Sequence, residues 1–439
     1  MIDNADILVN YVRRCNVVTT DSREISKLKN SGNKVMFVAL KGDKYDGNNF
    51  VGAAIEDGAD YVVTDNVAYD GNENRKLLVV KDSLKMMQLT ALAYRRIIDP
   101  KVIAITGTNG KTTTKELISV TLSKKFRTYA TKGNLNNHIG VPLTILNMPK
   151  TTEVLVVEMG ANHPGEIAEL CRIAEPNYGI ITNVGRAHLE GFTSFAGVCK
   201  AKGEMYAFLK QNGGVAFYDS MNQHLTQMIS EHLAIRKTAY NTNEFRGEFN
   251  KQGELIVSIK GKSKKINTKL TGSYNTANIA AAYAISGAFG IDYLTFVDAI
   301  EEYAPNNNRS QLVYSGSNII IADAYNANPT SMGIAVKNLN HFTRANKVVV
   351  LGAMKELGTE TQKEHKKVIN SVIKMGVTNA YFIGNEYADV KVEAENLNYF
   401  ASTEEYLEKM ASVKFEDSVI LIKGSRSMEL EKVINKYQY

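Results

Sequence analysis

The sequence predicts an α/β chain of three domains: a small α/β amino-terminal domain, a central parallel-sheet domain and a doubly wound carboxy-terminal domain. Three observations carry that expectation. Lys101–Thr106 is a short apolar, β-branched run that breaks into a glycine-rich loop and then a helical pattern. From about residue 309 onward, apolar strand-like runs alternate with amphipathic stretches, as in βαβα units. A chain of 439 residues is also long for a single core, and breaks at Pro100 and near Arg309 divide it into 1–98, 99–308 and 309–439.

The stretch from Lys101 to Thr114 has the clearest chemistry. After the strand come Gly107, Thr108, Asn109, Gly110, Lys111, Thr112 and Thr113, and the helical pattern then continues to Lys124. A helix N-terminus favours anionic charge, loop amides can face a phosphate, a lysine adds a point charge and a threonine hydroxyl suits Mg²⁺. Ile105 stands where the longer form of this P-loop motif has glycine, so the match is to a shorter variant. The stretch predicts nucleoside triphosphate binding.

Composition narrows the class. Hydrophobic residues are 44% and charged residues 22%, ordinary for a globular protein in water. The net charge of +6 is spread along the chain, and the densest lysine cluster, 262–265, falls in an expected hairpin. That argues for a solvated turn and against a nucleic-acid surface. Cys15, Cys171 and Cys199 have neither disulfide nor metal spacing, which points to a reducing compartment. The first residues lack a basic region with an apolar core, and no apolar run approaches the ~18 residues of a membrane span. A cytoplasmic monomer without membrane or nucleic-acid partners is expected.

In the first domain, residues 34–40 read as a strand, 50–57 as a helix ending at Gly58, 61–64 as a strand and 83–98 as a helix. Ser22 and Arg23 lie in a loop before them. A hydroxyl beside a guanidinium suits a phosphate or uridine, though an exposed Ser-Arg pair is usually nothing more.

In the central domain, residues 153–160 read as a buried strand delivering Glu158 to the ligand-binding end of a sheet, where it could hold Mg²⁺. Residues 178–183 form another strand leading to His188, and 194–209 a helix carrying Lys200 and Lys202. Taken alone, His188 reads as a satisfied loop histidine and Lys202 as a solvated helix lysine. Residues 215–270 read as short strands and hairpins. Asn275 and Asn278 share one face of the helix that follows, where two amides could cap it or read a base edge.

The last domain reads as strands 318–324, 347–353, 380–384 and 418–423 with helices 331–342, 361–375, 403–410 and 428–437. That is a Rossmann-like arrangement whose first strand ends in a polar run, Asp323-Ala-Tyr-Asn-Ala-Asn-Pro329.

These fragments, in this order, resemble the Mur ligases. The resemblance rests on Gly107-Thr-Asn-Gly-Lys-Thr112, Glu158-Met-Gly160, Ala187-His-Leu-Glu-Gly191, Ala201-Lys-Gly-Glu204, Asn275 to Asn278, Asn307-Asn-Arg-Ser-Gln311 and the run from Asp323. It extends to Asp21-Ser-Arg23, Gly133-Asn-Leu-Asn-Asn137, Leu351-Gly-Ala-Met-Lys355 and Lys423-Gly-Ser-Arg-Ser427, and so covers essentially the whole chain. Within the family the chain is most similar to the branch that joins D-alanyl-D-alanine to UDP-MurNAc-tripeptide. It lacks the Asp-Asn-Pro-Arg segment by which a sister enzyme recognises a diamino acid.

The resemblance implies roles residue by residue. ATP would lie on Gly107 to Thr113, with Asn278 and Asn275 on adenine, Asp323 on ribose and Arg309 on the γ-phosphate. Two Mg²⁺ ions are implied, one on Thr112 and Glu158, the other on Glu158, His188 and a carbamylated Lys202. Lys111, Glu158, His188, Lys202 and Arg309 form the implied catalytic set. Ser22 and Arg23 would hold the uridine diphosphate end, Asn134, Asn136 and Asn137 the sugar-peptide, and Tyr325, Asn326 and Asn328 substrate on the last domain. The rival readings are a sister ligase acting on another acceptor or on folate, a P-loop ATPase, and a non-catalytic nucleotide-binding subunit.

Overall fold

A computed structural model of the chain, describing residues 1–42, 45–185 and 189–438, contains four sheets. The first has four parallel strands in chain order, Val17–Thr19, Val35–Val38, Tyr61–Thr64 and Leu77–Val79. The second has six parallel strands in the order Arg236–Tyr240, Val215–Asp219, Tyr178–Ile181, Lys101–Thr106, Val154–Glu158 and Thr128–Ala130. A small antiparallel sheet spans Phe245–Phe249, Leu255–Ile259 and Ile266–Asn267. The last runs Gln311–Ser315, Asn318–Asp323, Ser418–Lys423, Asn346–Gly352, Asn379–Ile383 and Leu397–Phe400.

The middle of the central sheet is buried on both faces because the inner strands, Lys101–Thr106 and Val154–Glu158, are apolar at successive positions. Ile103, Ile105, Val154 and Val156 pack against Leu117, Ile118, Ile279 and Ile285. Val102, Ala104, Leu155 and Val157, pointing the other way, pack against Val141, Ile145, Ile167 and Met205. This double burial sets Glu158 beside Ile105, and Thr106 beside Ile181, at the carboxyl end of the sheet where the loop begins.

The first sheet is tied to the central one. Helix Ser83–Ile98 contributes Met86, Met87, Ala91 and Tyr94 to the same core as Val141 and Leu170. Tyr94 donates to the Met148 carbonyl at 3.2 Å, and Arg95 Nε to the Ala174 carbonyl at 3.1 Å. Asn147 pairs with the Val18 backbone, its Oδ1 accepting from the Val18 N–H and its Nδ2 donating to the Val18 carbonyl, both at 2.9 Å.

Two sequence expectations are corrected. Residues 215–270 are not all hairpin. Gln223–Ser230 is a helix, capped by Asn222 and seated on Leu225, Met228 and Ile229, and it links two strands that join the central sheet in parallel. Its apolar residues fall at i, i+3 and i+4, but the polar residues between them hide the period. The last domain does not open on a βα unit either. Gln311–Ser315 is an antiparallel edge strand that turns at Gly316 into Asn318–Asp323. Helix Pro329–Asn338 also starts earlier than expected, because Asn328 caps it and Pro329 takes its first position. Among the described residues, no helix is long and apolar enough to cross a membrane.

Replacing Asn147 by Ala strands the N–H and carbonyl of buried Val18 at a sheet edge. Urea denaturation is expected to show a loss of about 1–3 kcal/mol.

Candidate active site

The phosphate loop is shaped by what lies beneath it. Gly107 has φ +147° and Gly110 φ +80°, both in the region that favours glycine. A Cβ on Gly107 would lie 2.0 Å from Thr182 Oγ1, and one on Gly110 2.4 Å from Asn278 Oδ1. The end of the neighbouring strand anchors the loop. Thr108 N–H donates to the Asn183 carbonyl and Asn109 N–H to Asn183 Oδ1, each at 3.0 Å. The Asn109 carbonyl accepts from Thr182 Oγ1 at 2.6 Å and Asn183 Nδ2 at 2.9 Å. Thr108 Oγ1 accepts from the Gly185 N–H at 2.9 Å. Helix Lys111–Leu122 then begins, and its first-turn N–H groups, Thr113 among them, have no carbonyl before them in the helix.

Lys111 folds back along the loop and donates to the carbonyls of Gly107, at 2.7 Å, and Thr108, at 3.2 Å. Thr112, next along, donates at 2.8 Å to Oε2 of Glu158, a carboxylate only 1% exposed. The other oxygen of Glu158 accepts from Asn136 Nδ2 at 2.8 Å, and its N–H donates to Thr131 Oγ1 at 3.0 Å. The buried Lys115 fixes Thr131 by donating to its carbonyl at 2.6 Å.

Basic side chains gather around Lys111. Burial pulls the Lys111 ammonium below its usual range, the charge of Glu158 opposes that, and the charge of Arg309 adds to it. Lys202 is 3% exposed on helix Phe195–Gln211, and burial, then the charge of Lys111, lowers its pKa to about 7. Its Nζ lies 5.9 Å from the Phe192 ring centre, and it has no hydrogen-bond or ion-pair partner among the described residues. Lys111 thus feels the charges of both Glu158 and Arg309, and Lys202 feels that of Lys111, so basic groups gather at the loop as a polyanion requires.

The last domain meets the loop here. Asn328 Nδ2 donates to Asn109 Oδ1 at 2.7 Å. The Arg309 guanidinium stacks on Tyr325, 3.7 Å from the ring centre, and Arg426 lies 5.4 Å from the same ring. Asp323 is engaged within its own domain, accepting from Lys423 Nζ at 2.8 Å and from the Ser310 N–H at 3.1 Å.

Comparison with known proteins identifies the family. Residues 105–286 match the Mur ligase middle domain, and residues 308–426 the Mur ligase glutamate ligase domain. The UDP-N-acetylmuramoyl-tripeptide–D-alanyl-D-alanine ligase of Bacillus subtilis is 32% identical over 434 residues, 95% of this chain and 92% of that one. The chain belongs to the Mur ligase family. The Escherichia coli ligase of the same name is 31% identical over 96% of this chain and 93% of its own. MurF from Acinetobacter baumannii superposes with a TM-score of 0.81 at 27% identity, over 96% of this chain and 93% of that one. MurF ligase from Thermotoga maritima, crystallised with ADP, gives 0.80 at 25%, over 96% and 97%. The folylpolyglutamate synthase of Mycobacterium tuberculosis, with a TM-score of 0.61 at 13% identity over 79% and 95%, shares the fold.

Several expected site residues of this Mur ligase sit differently from their expected roles. Asn275 does not cap its helix with its side chain. It is buried, donates to the Thr271 carbonyl at 2.7 Å and accepts from Asn278 Nδ2 at 2.8 Å, while Asn278 Oδ1 accepts from Thr114 Oγ1 at 3.2 Å. Asn136, expected on the sugar-peptide, has its amide nitrogen on Glu158. Asn134 and Asn137 are exposed, and Asn137 Oδ1 accepts from Gly140 N–H at 2.9 Å. The carbonyl of Asn326 accepts from Lys423 at 2.9 Å, and its Oδ1 from the Ala327 N–H at 2.8 Å. Ser22 opens a short 3₁₀ turn, and the guanidinium of Arg23, 87% exposed, is forked onto Asp21 at 2.8 and 2.6 Å. His188 lies outside the described residues.

Glu204, the last residue of the motif Ala201-Lys-Gly-Glu204, has a role that its local sequence does not signal. Its carboxylate accepts from the N–H groups of Gly165, at 2.7 Å, and Ala168, at 3.0 Å. Those are the amides of the cap residue and of the first turn of helix Glu166–Ala174, whose cap residue Gly165 has no side chain to offer. Glu204 therefore ties the helix bearing Lys202 to the segment that follows Glu158. Glu204→Ala is expected to cost about 0.5–2 kcal/mol in thermal or urea unfolding, the worth of a helix cap. It should also lower kcat, and Glu204→Gln should recover part of both.

Proposed function

We propose that this chain is an ATP-dependent ligase that joins D-alanyl-D-alanine to UDP-MurNAc-tripeptide, releasing ADP and phosphate, in cytoplasmic peptidoglycan precursor synthesis. The observation that carries the reading is a phosphate loop whose Thr112 is bonded to the buried Glu158 and whose Lys111 lies within reach of the charges of Glu158, Arg309 and Lys202. Whole-chain similarity to ligases bearing that activity in their names supports the choice of substrates. Residues 1–98 bind the UDP-MurNAc-peptide, 99–308 bind ATP, and 309–439 carry the amine substrate and close over ATP.

The chemical problem is a carboxylate, which resists amines because its leaving group is poor. The tripeptide carboxylate attacks the γ-phosphorus of ATP, the bond to the β,γ-bridging oxygen breaks, and ADP departs. The amine of D-alanyl-D-alanine then attacks the acyl carbon, loses a proton and expels phosphate. Phosphoryl transfer between anions needs charge neutralisation and alignment more than covalent assistance. The loop amides and Lys111 hold the β- and γ-phosphates, Arg309 reaches the γ-phosphate, and Asn278, braced by Asn275, meets adenine. Asp323, oriented by Lys423, takes the ribose. Ser22 and Arg23 hold the uridine diphosphate, and Asn134 and Asn137 flank the sugar-peptide.

Thr112 and Glu158 offer oxygen donors only, the set that Mg²⁺ takes. An amine at Lys202 does not suit Mg²⁺, but a carbamate formed there with CO₂ does, and with Glu158 and His188 it would hold a second ion. When bound, Mg²⁺ would neutralise phosphate charge and act as a Lewis acid toward the phosphoryl oxygens. Lys202 is buried without an anionic partner among the described residues, which fits a side chain that becomes the anion itself.

A cavity of about 400 Å³ at the carboxyl ends of the last domain's strands supports its role with the amine. Lys355 and Glu386, paired with each other, line it together with Ser402, Thr403 and Ser427.

Two experiments test the reading. Phosphate release from ATP with UDP-MurNAc-tripeptide should require D-alanyl-D-alanine. Turnover without acceptor would indicate an ATPase, and dependence on a single amino acid or glutamate a sister ligase. Lys202→Ala should lose most activity and recover part of it with a short carboxylic acid. Full activity of that variant in CO₂-free buffer would contradict the carbamate.

A further inference from the structure

We infer that Asn109 and Asn328 form a latch coupling the phosphate loop to the carboxy-terminal domain, and that Asn328 is a positioning residue, not a substrate contact. The inference rests on the ligase reading above, since it concerns how the two halves of that site are held together.

Asn109 stands at the loop tip with its backbone already engaged. Its N–H goes to Asn183 Oδ1 at 3.0 Å, and its carbonyl accepts from Thr182 Oγ1 and Asn183 Nδ2 at 2.6 and 2.9 Å. The backbone is thus fixed by the central sheet, while the side chain faces the last domain. There, Asn328 is equally constrained. Its Oδ1 accepts from the Ser331 N–H at 2.9 Å and its own N–H donates to Ser331 Oγ at 3.1 Å, a reciprocal capping box. With the oxygen committed to the helix, the amide nitrogen points at Asn109 Oδ1, 2.7 Å away. Among the described residues this is the one hydrogen bond between the loop, residues 107–113, and the chain beyond Arg309.

The helix that Asn328 caps, Pro329–Asn338, is anchored at its far end too. It continues into the turn Leu339–His341, where the His341 ring stacks on Phe249 of the antiparallel sheet, with centres 3.9 Å apart and planes at 15°. Phe342 packs beside it so closely that a Cβ on Gly253 would lie 2.2 Å from the ring. One end of this helix therefore rests on a broad apolar seat and the other on a single amide pair. The seat serves as a pivot. The amide pair makes the orientation of the last domain depend on the shape of the loop that carries the phosphates.

The substitutions that test this separate the latch from the cap. Asn328→Ser keeps a strong helix cap and removes the Nδ2 donor. Asn328→Asp keeps the cap and lets the Asn109 amide turn over and donate instead. The expected result for Asn328→Ser is a loss of at least tenfold in kcat/KM for D-alanyl-D-alanine, with the melting temperature and UDP-MurNAc-tripeptide binding unchanged. Asn328→Asp should retain most activity. Combining Asn328→Ser with Asn109→Ala should cost little more than Asn109→Ala alone, because the two share one interaction. An Asn328→Ser enzyme with unaltered kcat/KM, or losses that simply add in the double variant, would overturn the latch. If the ligase reading itself is wrong, the unsubstituted protein will show no dipeptide-dependent phosphate release, which distinguishes the two failures.

Discussion

The site depends on one buried carboxylate that, among the described residues, has no cation bonded to it. Glu158 is almost fully enclosed, and its oxygens are met by the Thr112 hydroxyl and the Asn136 amide. A carboxylate taken out of water is tolerated only where donors replace the lost hydration. Those donors are neutral and each is held from behind, Thr112 by the first turn of the loop helix and Asn136 by a backbone bond to Gly160. The nearby cations stay unspent on it. Lys111 turns to loop carbonyls, Arg309 to the face of Tyr325, and Lys202 to an aromatic edge of the pocket.

This arrangement follows from the fold more than from any single motif. Parallel strands with two apolar faces are covered by helices on both sides, so their carboxyl ends are the place where polar groups from several strands can meet. Lys101–Thr106 delivers the loop, Val154–Glu158 the carboxylate, and Tyr178–Ile181 the Thr182-Asn183 pair that anchors the loop from below. The last domain repeats the scheme with its own sheet and brings Asp323 and Tyr325 from the end of one strand and Arg426 from beyond the end of another.

Much of this fold was legible because buried parallel strands are short, apolar and sharply ended. Tyr61–Thr64, Lys101–Thr106 and Ser418–Lys423 fall where the sequence places them, as do helices Ser83–Ile98 and Thr361–Met375. The chain was hardest to read where exposure blurs the pattern. Arg236–Tyr240 is a polar edge strand, and it looks like one arm of a hairpin although it pairs in parallel with Val215–Asp219. Within the site, the phosphate loop has a local signature, but the bonds that orient its surroundings do not. Asn136 reaches Glu158 across 22 positions, Glu204 reaches Gly165 across 39, and Asn109 meets Asn328 across 219. Such pairs follow from the topology, and nothing near either residue announces the other.

The central claim is that this charge cluster activates a carboxylate by transferring phosphate to it. The most direct measurement uses UDP-MurNAc-tripeptide labelled with ¹⁸O in the reacting carboxylate, with released phosphate analysed by mass spectrometry. An acyl phosphate requires that one carboxylate oxygen leave with the phosphate, so each turnover should place one ¹⁸O in the product phosphate. Phosphate free of label, formed together with the amide product, would contradict the account.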